Sequence, residues 1–235
     1  MNFVGRLAYR DINPSARGTP IVFLHGGWGY EMYPFDRQID AFTPEHRIVI
    51  PDRTGYGASP SVAELPADFH DRAVDETRTL LAAIGIDRPI LWGHSDGAII
   101  ALRYALDDPA RVSRVIAEAM HYFRAKPRSR GFFEAVIANP DSTAIMKAQA
   151  RAWLQIGEQA TPQIDDFYGG RLGRLAVPAL ILHGAQDPRT EPGELDAIAS
   201  ILPNVVVLAR GGHSPHSEAD TADEATAVVD AFIHD

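Results

Sequence analysis

One stretch of the chain, residues 89–102, restricts the fold more than any other. It reads Pro-Ile-Leu-Trp-Gly-His-Ser-Asp-Gly-Ala-Ile-Ile-Ala-Leu, which is an apolar run, a Gly-x-Ser-x-Gly pattern and then small and apolar residues at helical spacing. This order predicts a strand, a sharp turn and a helix, with Ser95 at the apex of the turn. Gly93 and Gly97 suit such a turn because a side chain at either position would collide with its neighbours. A helix with Ser95 as its N-cap is the alternative interpretation.

Strands and helices alternate along much of the chain. Continuous apolar runs, typical of strands buried on both faces, occupy residues 20–24, 47–51, 112–120, 177–184 and 204–208. Helical spacing of apolar residues predicts helices over 33–42, 68–84, 97–106 and 222–233. A short amino-terminal strand or hairpin is predicted over residues 2–12. The alternation predicts an α/β fold with a mostly parallel sheet covered by helices on both faces, in which ligands bind at the carboxyl ends of the strands.

The alternation is interrupted over residues 121–174. This segment is rich in aromatic and helix-forming polar residues, and Asn139-Pro140 marks a break within it. We expect a small helical cap inserted into a single domain that spans residues 1–235, an ordinary size for an undivided α/β fold. If the cap covers the strand ends, some of its aromatic side chains line an apolar acyl or alcohol site.

The partners that a serine nucleophile requires follow two other strands. A serine hydroxyl needs a base within hydrogen-bond reach, and the base needs a group that fixes its tautomer. Asp187 follows the strand over 177–184 and His213 follows the strand over 204–208, so both are expected at the same sheet edge as Ser95. Ser, then acid, then His is the order expected in such a fold. Taken alone, Asp187 is also a turn residue before a proline.

Other histidines offer alternatives to this arrangement. His216 lies three residues after His213 and is a rival base, although its simpler interpretation is a solvated residue at a helix start. The two glycines before His213 and the preceding strand end favour His213. A metal site built from His183, His213 and His216 is disfavoured because no helical His-Glu-x-x-His pattern supports it, so no metal is expected.

Several motifs together resemble those of the α/β-hydrolase superfamily over nearly the whole chain. They are His-Gly-Gly-Trp at 25–28, Asp-Arg-x-Gly-x-Gly-x-Ser at 52–59, Gly-His-Ser-Asp-Gly at 93–97, His-Gly-x-x-Asp at 183–187 and Gly-His-Ser-Pro at 212–215. The resemblance implies an α/β-hydrolase fold with a small helical cap. It also implies that Ser95 is the nucleophile, His213 the general base and acid, and Asp187 its orienting carboxylate.

The same resemblance implies an oxyanion hole and a substrate pocket. The backbone N–H groups of Gly27 and Asp96 are the expected oxyanion donors, with Trp28 as the alternative to Gly27. The residues expected to contact substrate are Trp28, Asp96, His121, Phe123 and Trp153. The Asp96 carboxylate has two interpretations. It favours the helix N-terminus by its charge, or it faces the pocket and prefers a cationic group such as the amine of an aminoacyl ester.

The reaction implied by the resemblance is hydrolysis of carboxylic ester or thioester bonds in small, partly apolar substrates through an acyl-enzyme, without a cofactor. Cleavage of a carbon–carbon bond in a vinylogous diketone, and amide or aminoacyl-ester hydrolysis, are alternatives on the same triad. A ligand-binding receptor-like module is the alternative from another class of protein.

Composition excludes several other classes. The net charge of −9 disfavours nucleic acid and anionic lipid as partners, which leaves a small-molecule substrate. The absence of cysteine excludes disulfides, thiolate chemistry and zinc–thiolate sites. Neither a secretory signal nor a membrane-spanning run is recognisable, which predicts a cytoplasmic location. The oligomeric state is not indicated by the sequence.

Overall fold

A computed structural model describes residues 1–163 and 165–235. Its strands are β1 (Asn2–Val4), β2 (Leu7–Ile12), β3 (Gly18–Leu24), β4 (His46–Pro51), β5 (Ile90–His94), β6 (Arg114–Glu118), β7 (Ala179–Gly184) and β8 (Val205–Leu208). Its helices are α1 (Asp36–Phe42), α2 (Phe69–Ala83), α3 (Asp96–Asp107), α4 (Arg130–Ala138), α5 (Ala144–Glu158), α6 (Glu194–Ile201) and α7 (Ala222–His234). None of the helices within these described ranges is long and apolar enough to cross a membrane.

The strands form one eight-stranded sheet in the order β1-β2-β4-β3-β5-β6-β7-β8. The hairpin β1–β2 pairs antiparallel with β4, and every pairing from β4 to β8 is parallel. The predicted α/β architecture is therefore confirmed. Helix α1 begins at Asp36, later than the predicted residue 33, because Pro34 disfavours the helical region for the residue before it and Tyr33 has a φ of −138°.

Alternate residues of each central strand enter two cores. In β3, Ile21 and Phe23 pack on the face covered by α1 and α7, whereas Val22 and Leu24 pack on the face covered by α2 and α3. All four side chains are fully buried. A continuous apolar run in the sequence is thus explained by helices on both faces of the sheet.

The turn from β5 to α3 is tightly packed. Ser95 has a φ of +53° and a ψ of −114°, a strained conformation for a residue with a side chain. A Cβ at position 93 would overlap the Gly97 carbonyl, and a Cβ at position 97 would overlap the Leu24 carbonyl at the end of β3. Both flanking positions therefore require glycine, and the serine side chain is held at the carboxyl edge of the sheet.

The segment between β6 and β7 carries α4 and α5, which pack against each other. Helix α4 ends at Ala138, before Asn139-Pro140, and α5 begins after Thr143, whose hydroxyl accepts the Met146 N–H. Near its start this segment is tied to α6 by Glu194, which accepts hydrogen bonds from the Lys126 ammonium and from the Tyr122 and Phe123 N–H groups.

A buried carboxylate lies at the end of β6, in the centre of the sheet. Glu118 accepts hydrogen bonds from the His216 backbone N–H at 2.9 Å, from His216 Nδ1 at 2.8 Å and from Trp92 Nε1 at 3.0 Å. Burial raises the pKa of Glu118, but the charge and hydrogen bonds of His216 lower it more, and it falls to about 2. The expectation that His216 is a solvated helix-start residue is wrong, because its side chain is fully buried in this pair.

Replacing Glu118 with leucine would leave the buried donors of Trp92 and His216 without an acceptor. We expect the free energy of unfolding at pH 7 to fall by about 3–5 kcal/mol, measured by urea denaturation. The folded pKa of about 2 lies below the ordinary glutamate value, so this contribution is present above roughly pH 5 and is lost as the pH falls towards 2. The difference between wild type and variant should shrink over that range.

Glu134→Gln is the control for this prediction. It removes an exposed carboxylate that lies 2.9 Å from Arg130 Nε, and it should change the free energy of unfolding by less than about 0.5 kcal/mol. Equal losses in the two variants would contradict the role assigned to the buried pair.

Candidate active site

The loops after the parallel strands converge on one small cavity. Among the residues that the sequence predicts for the site, its walls contain Gly27, Trp28, Ser95, Asp96, His121, Trp153 and His213. The remaining lining residues, which the sequence did not single out, are Lys126, Ser129, Phe133, Gln149 and Arg189. The cavity lies between the sheet edge and the segment that carries α4 and α5, where ligand sites are expected in open α/β folds.

Asp187 and His213 form a close pair beside this cavity. His213 Nδ1 lies 3.1 Å from Asp187 Oδ1 and 3.0 Å from Oδ2, and the Arg189 backbone N–H donates to Oδ1 at 2.8 Å. Burial raises the pKa of Asp187, but the hydrogen bond and charge of His213 lower it more, and it falls to about 2. The carboxylate is therefore ionised at neutral pH and fixes Nδ1 as the protonated nitrogen, which leaves Nε2 as the basic atom.

The loop that carries His213 is held at several points. Glu218 accepts the Gly212 N–H at 2.7 Å and the Ser214 N–H at 3.0 Å, and His94 Nε2 donates to the His213 carbonyl at 2.9 Å. Burial and the neighbouring charges of His213 and His216 lower the pKa of His94 to about 3. His94 is thus neutral at pH 7, a state in which it can donate from Nε2.

The hydroxyl of Ser95 has His121 as its neighbour. Ser95 Oγ lies 3.2 Å from His121 Nε2, and no hydrogen bond joins Ser95 to His213 within residues 1–163 and 165–235. The rings of His121 and His213 are nearly parallel, with centroids 5.9 Å apart, and both line the cavity. Burial, and next the charge of Lys126, lower the pKa of His121 well below its usual range, so this ring is neutral at pH 7.

The glycine loop after β3 lies against the serine turn. A Cβ at position 26 would lie 3.3 Å from Ser95 Cβ, and a Cβ at position 27 would overlap the Asp96 carboxylate. In the described part of the chain, the N–H groups of Gly27, Trp28 and Asp96 donate to no protein acceptor. These amides are therefore available to an oxyanion.

The Asp96 carboxylate lies behind Gly27 and is fully buried. His70 Nε2 donates to Oδ1 at 2.7 Å, and Gln149 Nε2 donates to Oδ2. Burial lowers the pKa of His70, so its ring is a neutral donor at pH 7. The Tyr56 hydroxyl lies within hydrogen-bond distance of both Gln149 Oε1 and the Gly27 carbonyl and donates its one proton between them, which completes a network that supports the glycine loop. The carboxylate is therefore engaged within the protein, and this position disfavours its use as a receptor for a substrate amine.

The assignment of Phe123 to the substrate pocket is corrected. Among the described residues, the walls of the cavity do not include Phe123. Its ring packs on Tyr122, and its backbone bridges Asp166 and donates to Glu194. The side chain of Phe133 lines the cavity in its place, stacked on Trp153 at 5.8 Å. Aromatic content alone did not distinguish these two phenylalanines, because the distinction depends on how α4 and α5 pack.

Two of the missed residues had partial signals in the sequence. Arg189 follows the predicted acid loop by two positions, and Ser129 directly precedes the helix that begins at Arg130. The sequence contains no signal for Gln149, because a polar amide within an amphipathic helix is expected to face solvent.

The parallel sheet, the turn at Ser95 and the convergence of the loops define an α/β-type hydrolase. The sequence profile of the alpha/beta hydrolase family matches residues 21–230, so the chain belongs to this family of hydrolases.

Individual relatives differ in the share of the chain that they match. The chain is 27% identical to pimeloyl-(acyl-carrier protein) methyl ester esterase of Pectobacterium atrosepticum over 238 residues, with 85% of this chain and 89% of that protein covered. It is 30% identical to proline iminopeptidase of Heyndrickxia coagulans over 112 residues, which is 48% of this chain but only 38% of that protein. A thermophilic esterase from Thermogutta terrifontis has a similar fold, with a TM-score of 0.74, 20% identity and coverage of 97% and 93% of the two chains.

Substituting Asp96 by asparagine tests the network behind the glycine loop. In the wild type, His70 and Gln149 each donate to one oxygen of Asp96. Asparagine replaces one of these oxygens by an NH₂ group, so one of the two buried donors loses its acceptor. We expect the free energy of unfolding to fall by about 1–3 kcal/mol in urea denaturation. Asp75→Asn, on the exposed face of α2 with an Arg78 ion pair, should cost less than about 0.5 kcal/mol. An unchanged free energy of unfolding in Asp96→Asn would show that the network does not support the fold.

Proposed function

We propose that the protein is a serine hydrolase that cleaves carboxylic ester or thioester bonds of small, partly apolar substrates through an acyl-enzyme. The observation that carries this proposal is the His213–Asp187 pair, which faces the same cavity as a serine held at positive φ on a strand–helix turn. A base oriented by a carboxylate, beside a nucleophile that lines the cavity, is the arrangement that acyl transfer requires.

In the proposed first half-reaction, Ser95 Oγ turns from His121 towards His213 and attacks the substrate carbonyl. His213 Nε2 accepts the hydroxyl proton and delivers it to the leaving alcohol or thiol, while Asp187 stabilises the imidazolium. The N–H groups of Gly27 and Asp96 stabilise the oxyanion, and each such donor is worth roughly 10²–10³ in rate. Hydrogen bonds of this kind are often loose before substrate binds, which is consistent with the Ser95–His121 contact.

In the proposed second half-reaction, His213 takes a proton from water, and the resulting hydroxide attacks the acyl carbonyl. The proton then returns to Ser95 Oγ as the acid departs, which restores the free enzyme. We assign to His121 the positioning of the resting Ser95 hydroxyl, because its neutral ring can donate to or accept from that group but, among the described residues, has no carboxylate partner comparable to Asp187.

The substrate size follows from the walls of the cavity. Trp153 and Phe133, from α5 and α4, stack on each other in its wall, and Trp28 from the glycine loop is in edge contact with Phe132 at 5.6 Å. The small cavity therefore favours a small acyl or alcohol group rather than a long chain. We assign the covering role to the segment 121–174 as a cap on a single domain.

Labelling with a fluorophosphonate probe tests the nucleophile. We expect covalent modification of wild type at Ser95, located by peptide mass spectrometry, together with turnover of a panel of 4-nitrophenyl esters and acyl thioesters. Ser95→Ala should abolish both while retaining the circular dichroism spectrum of the wild type. Folded wild-type protein that neither reacts with the probe nor turns over any ester would favour a ligand-binding module instead.

Asp187→Asn tests the orienting carboxylate. The variant keeps a side chain of the same shape but allows the wrong His213 tautomer, so kcat should fall by about 10⁴ with KM changed far less. Steady-state kinetics on the best ester of the panel provides the measurement. Asp196→Asn, on the exposed face of α6, serves as the control and should keep the wild-type kcat. A loss below tenfold at Asp187 would contradict the proposed triad.

A further inference from the structure

The cavity beside Ser95 has a positively charged wall that the proposed chemistry does not use. Arg189 belongs to the loop between β7 and α6, is half-buried, and has its guanidinium carbon 3.2 Å from the centroid of the Phe132 ring. Within the described residues, no carboxylate lies at ion-pair distance from this guanidinium. Since arginine stays protonated in proteins, an unneutralised cation faces the cavity.

A second observation at the same wall indicates a ligand. Ser129 is only 1% exposed, and its Oγ has no hydrogen-bond partner in the described part of the chain although the residue lines the cavity. A buried hydroxyl without a partner is costly, so it is expected to be satisfied by something that enters the cavity. The proposed triad and oxyanion donors leave this hydroxyl unexplained.

Lys126 adds a further donor to the same wall. Ser129 lies directly before α4 and its side chain does not cap that helix, while the Ser129 and Arg130 N–H groups donate to the Lys126 and Pro127 carbonyls. The Ser129 hydroxyl is therefore the group at this position that has no partner among the described residues. Lys126 also lines the cavity and donates to Glu194, which neutralises its charge but leaves one of its three N–H donors available.

The carboxylates near this wall already have partners within the protein. Asp96 lies behind Gly27 and accepts hydrogen bonds from His70 and Gln149. Asp187 accepts them from His213 and from the backbone N–H of Arg189. Two further carboxylates are Glu194, which pairs with Lys126, and Glu191, which accepts the Arg128 N–H. The guanidinium of Arg189, in contrast, has no ion-pair partner among the described residues.

We propose that Arg189 and Ser129 form an anion subsite, and that the preferred substrates are esters or thioesters bearing a carboxylate near the scissile carbonyl. This inference rests on the proposed function. Arg189 offers two parallel N–H donors to a carboxylate, and the Phe132 ring holds the guanidinium plane in place. The carboxylate belongs to the acyl group or to the leaving group, and matched substrates distinguish the two.

The test compares kcat/KM for anionic and neutral members of two ester pairs. In the first pair, mono-4-nitrophenyl glutarate carries a carboxylate in its acyl group, and 4-nitrophenyl pentanoate is its neutral counterpart. In the second pair, acetoxybenzoate carries a carboxylate in the leaving group of its acetyl ester, and its methyl ester is the neutral counterpart. For the pair that fits the subsite, wild type should favour the anionic ester, and Arg189→Gln should lower that preference by about tenfold or more. A general loss of activity affects both esters and cancels in the ratio.

Further variants separate the subsite from other effects. Arg151→Gln makes the same charge change on an exposed position of α5 and should keep the wild-type ratio. Ser129→Ala should lower the ratio mainly through KM for the anionic ester, and Arg189→Lys should be intermediate because lysine keeps the charge but not the two-pronged donor. A wild type that shows no anionic preference in either pair, or an Arg189→Gln variant that keeps it, would overturn the inference.

Binding of glutarate by calorimetry tests the subsite without turnover. We expect wild type and Arg151→Gln to bind glutarate with equal affinity, Arg189→Gln to bind it at least about tenfold more weakly, and the uncharged glutaramide not to bind. Glutarate binding without ester turnover would reject the proposed reaction and retain the subsite. Ester turnover with neither glutarate binding nor anionic preference would retain the reaction and reject the subsite.

Discussion

The close approach of main-chain segments at the turn between β5 and α3 is the constraint on which the site depends. Position 93 faces the Gly97 carbonyl, and position 97 faces the Leu24 carbonyl, so neither accepts a Cβ. This packing holds Ser95 at positive φ and sets α3 directly against the ends of β3 and β5. The glycine loop that follows β3 therefore lies beside the serine as a consequence of the same contact, and the spacing of nucleophile and candidate oxyanion donors has one structural origin.

A second set of close contacts, between the loops that follow β7 and β8, positions the proposed base. Gly184 at the end of β7 packs so closely on Gly211 and Gly212 that no Cβ fits between them. The Glu118–His216 pair joins the loop beyond His213 to the end of β6. The clearest consequence of these buried, directional hydrogen bonds is to fix where this loop lies. Acid and base loops thus meet through backbone packing and one buried hydrogen-bonded pair.

The predictable part of this molecule is the part encoded by local pattern. Buried apolar runs and the glycines around Ser95 have meanings that depend on a few neighbouring residues, and they predicted the parallel sheet and its functional edge. His216 was misinterpreted because its partner Glu118 is distant in sequence. Phe123, rather than Phe133, was predicted to line the pocket, because the direction of each ring depends on the packing of α4 and α5. Irregular cap segments have no strict period from which such packing can be predicted.

The charges at the site show why sequence position is a poor guide to substrate preference. Asp96 is next to the nucleophile in sequence, and that position suggested recognition of a cation. Its carboxylate nevertheless points behind the glycine loop, where His70 and Gln149 satisfy it and water is excluded. Arg189 is 94 positions away from Ser95 in the chain, yet it lines the same cavity without a counter-ion among the described residues. A charge selects a ligand only when the protein leaves it unmatched. By that criterion Arg189 is the charge on which the proposed anion subsite depends, whereas the Asp96 carboxylate supports the glycine loop from behind.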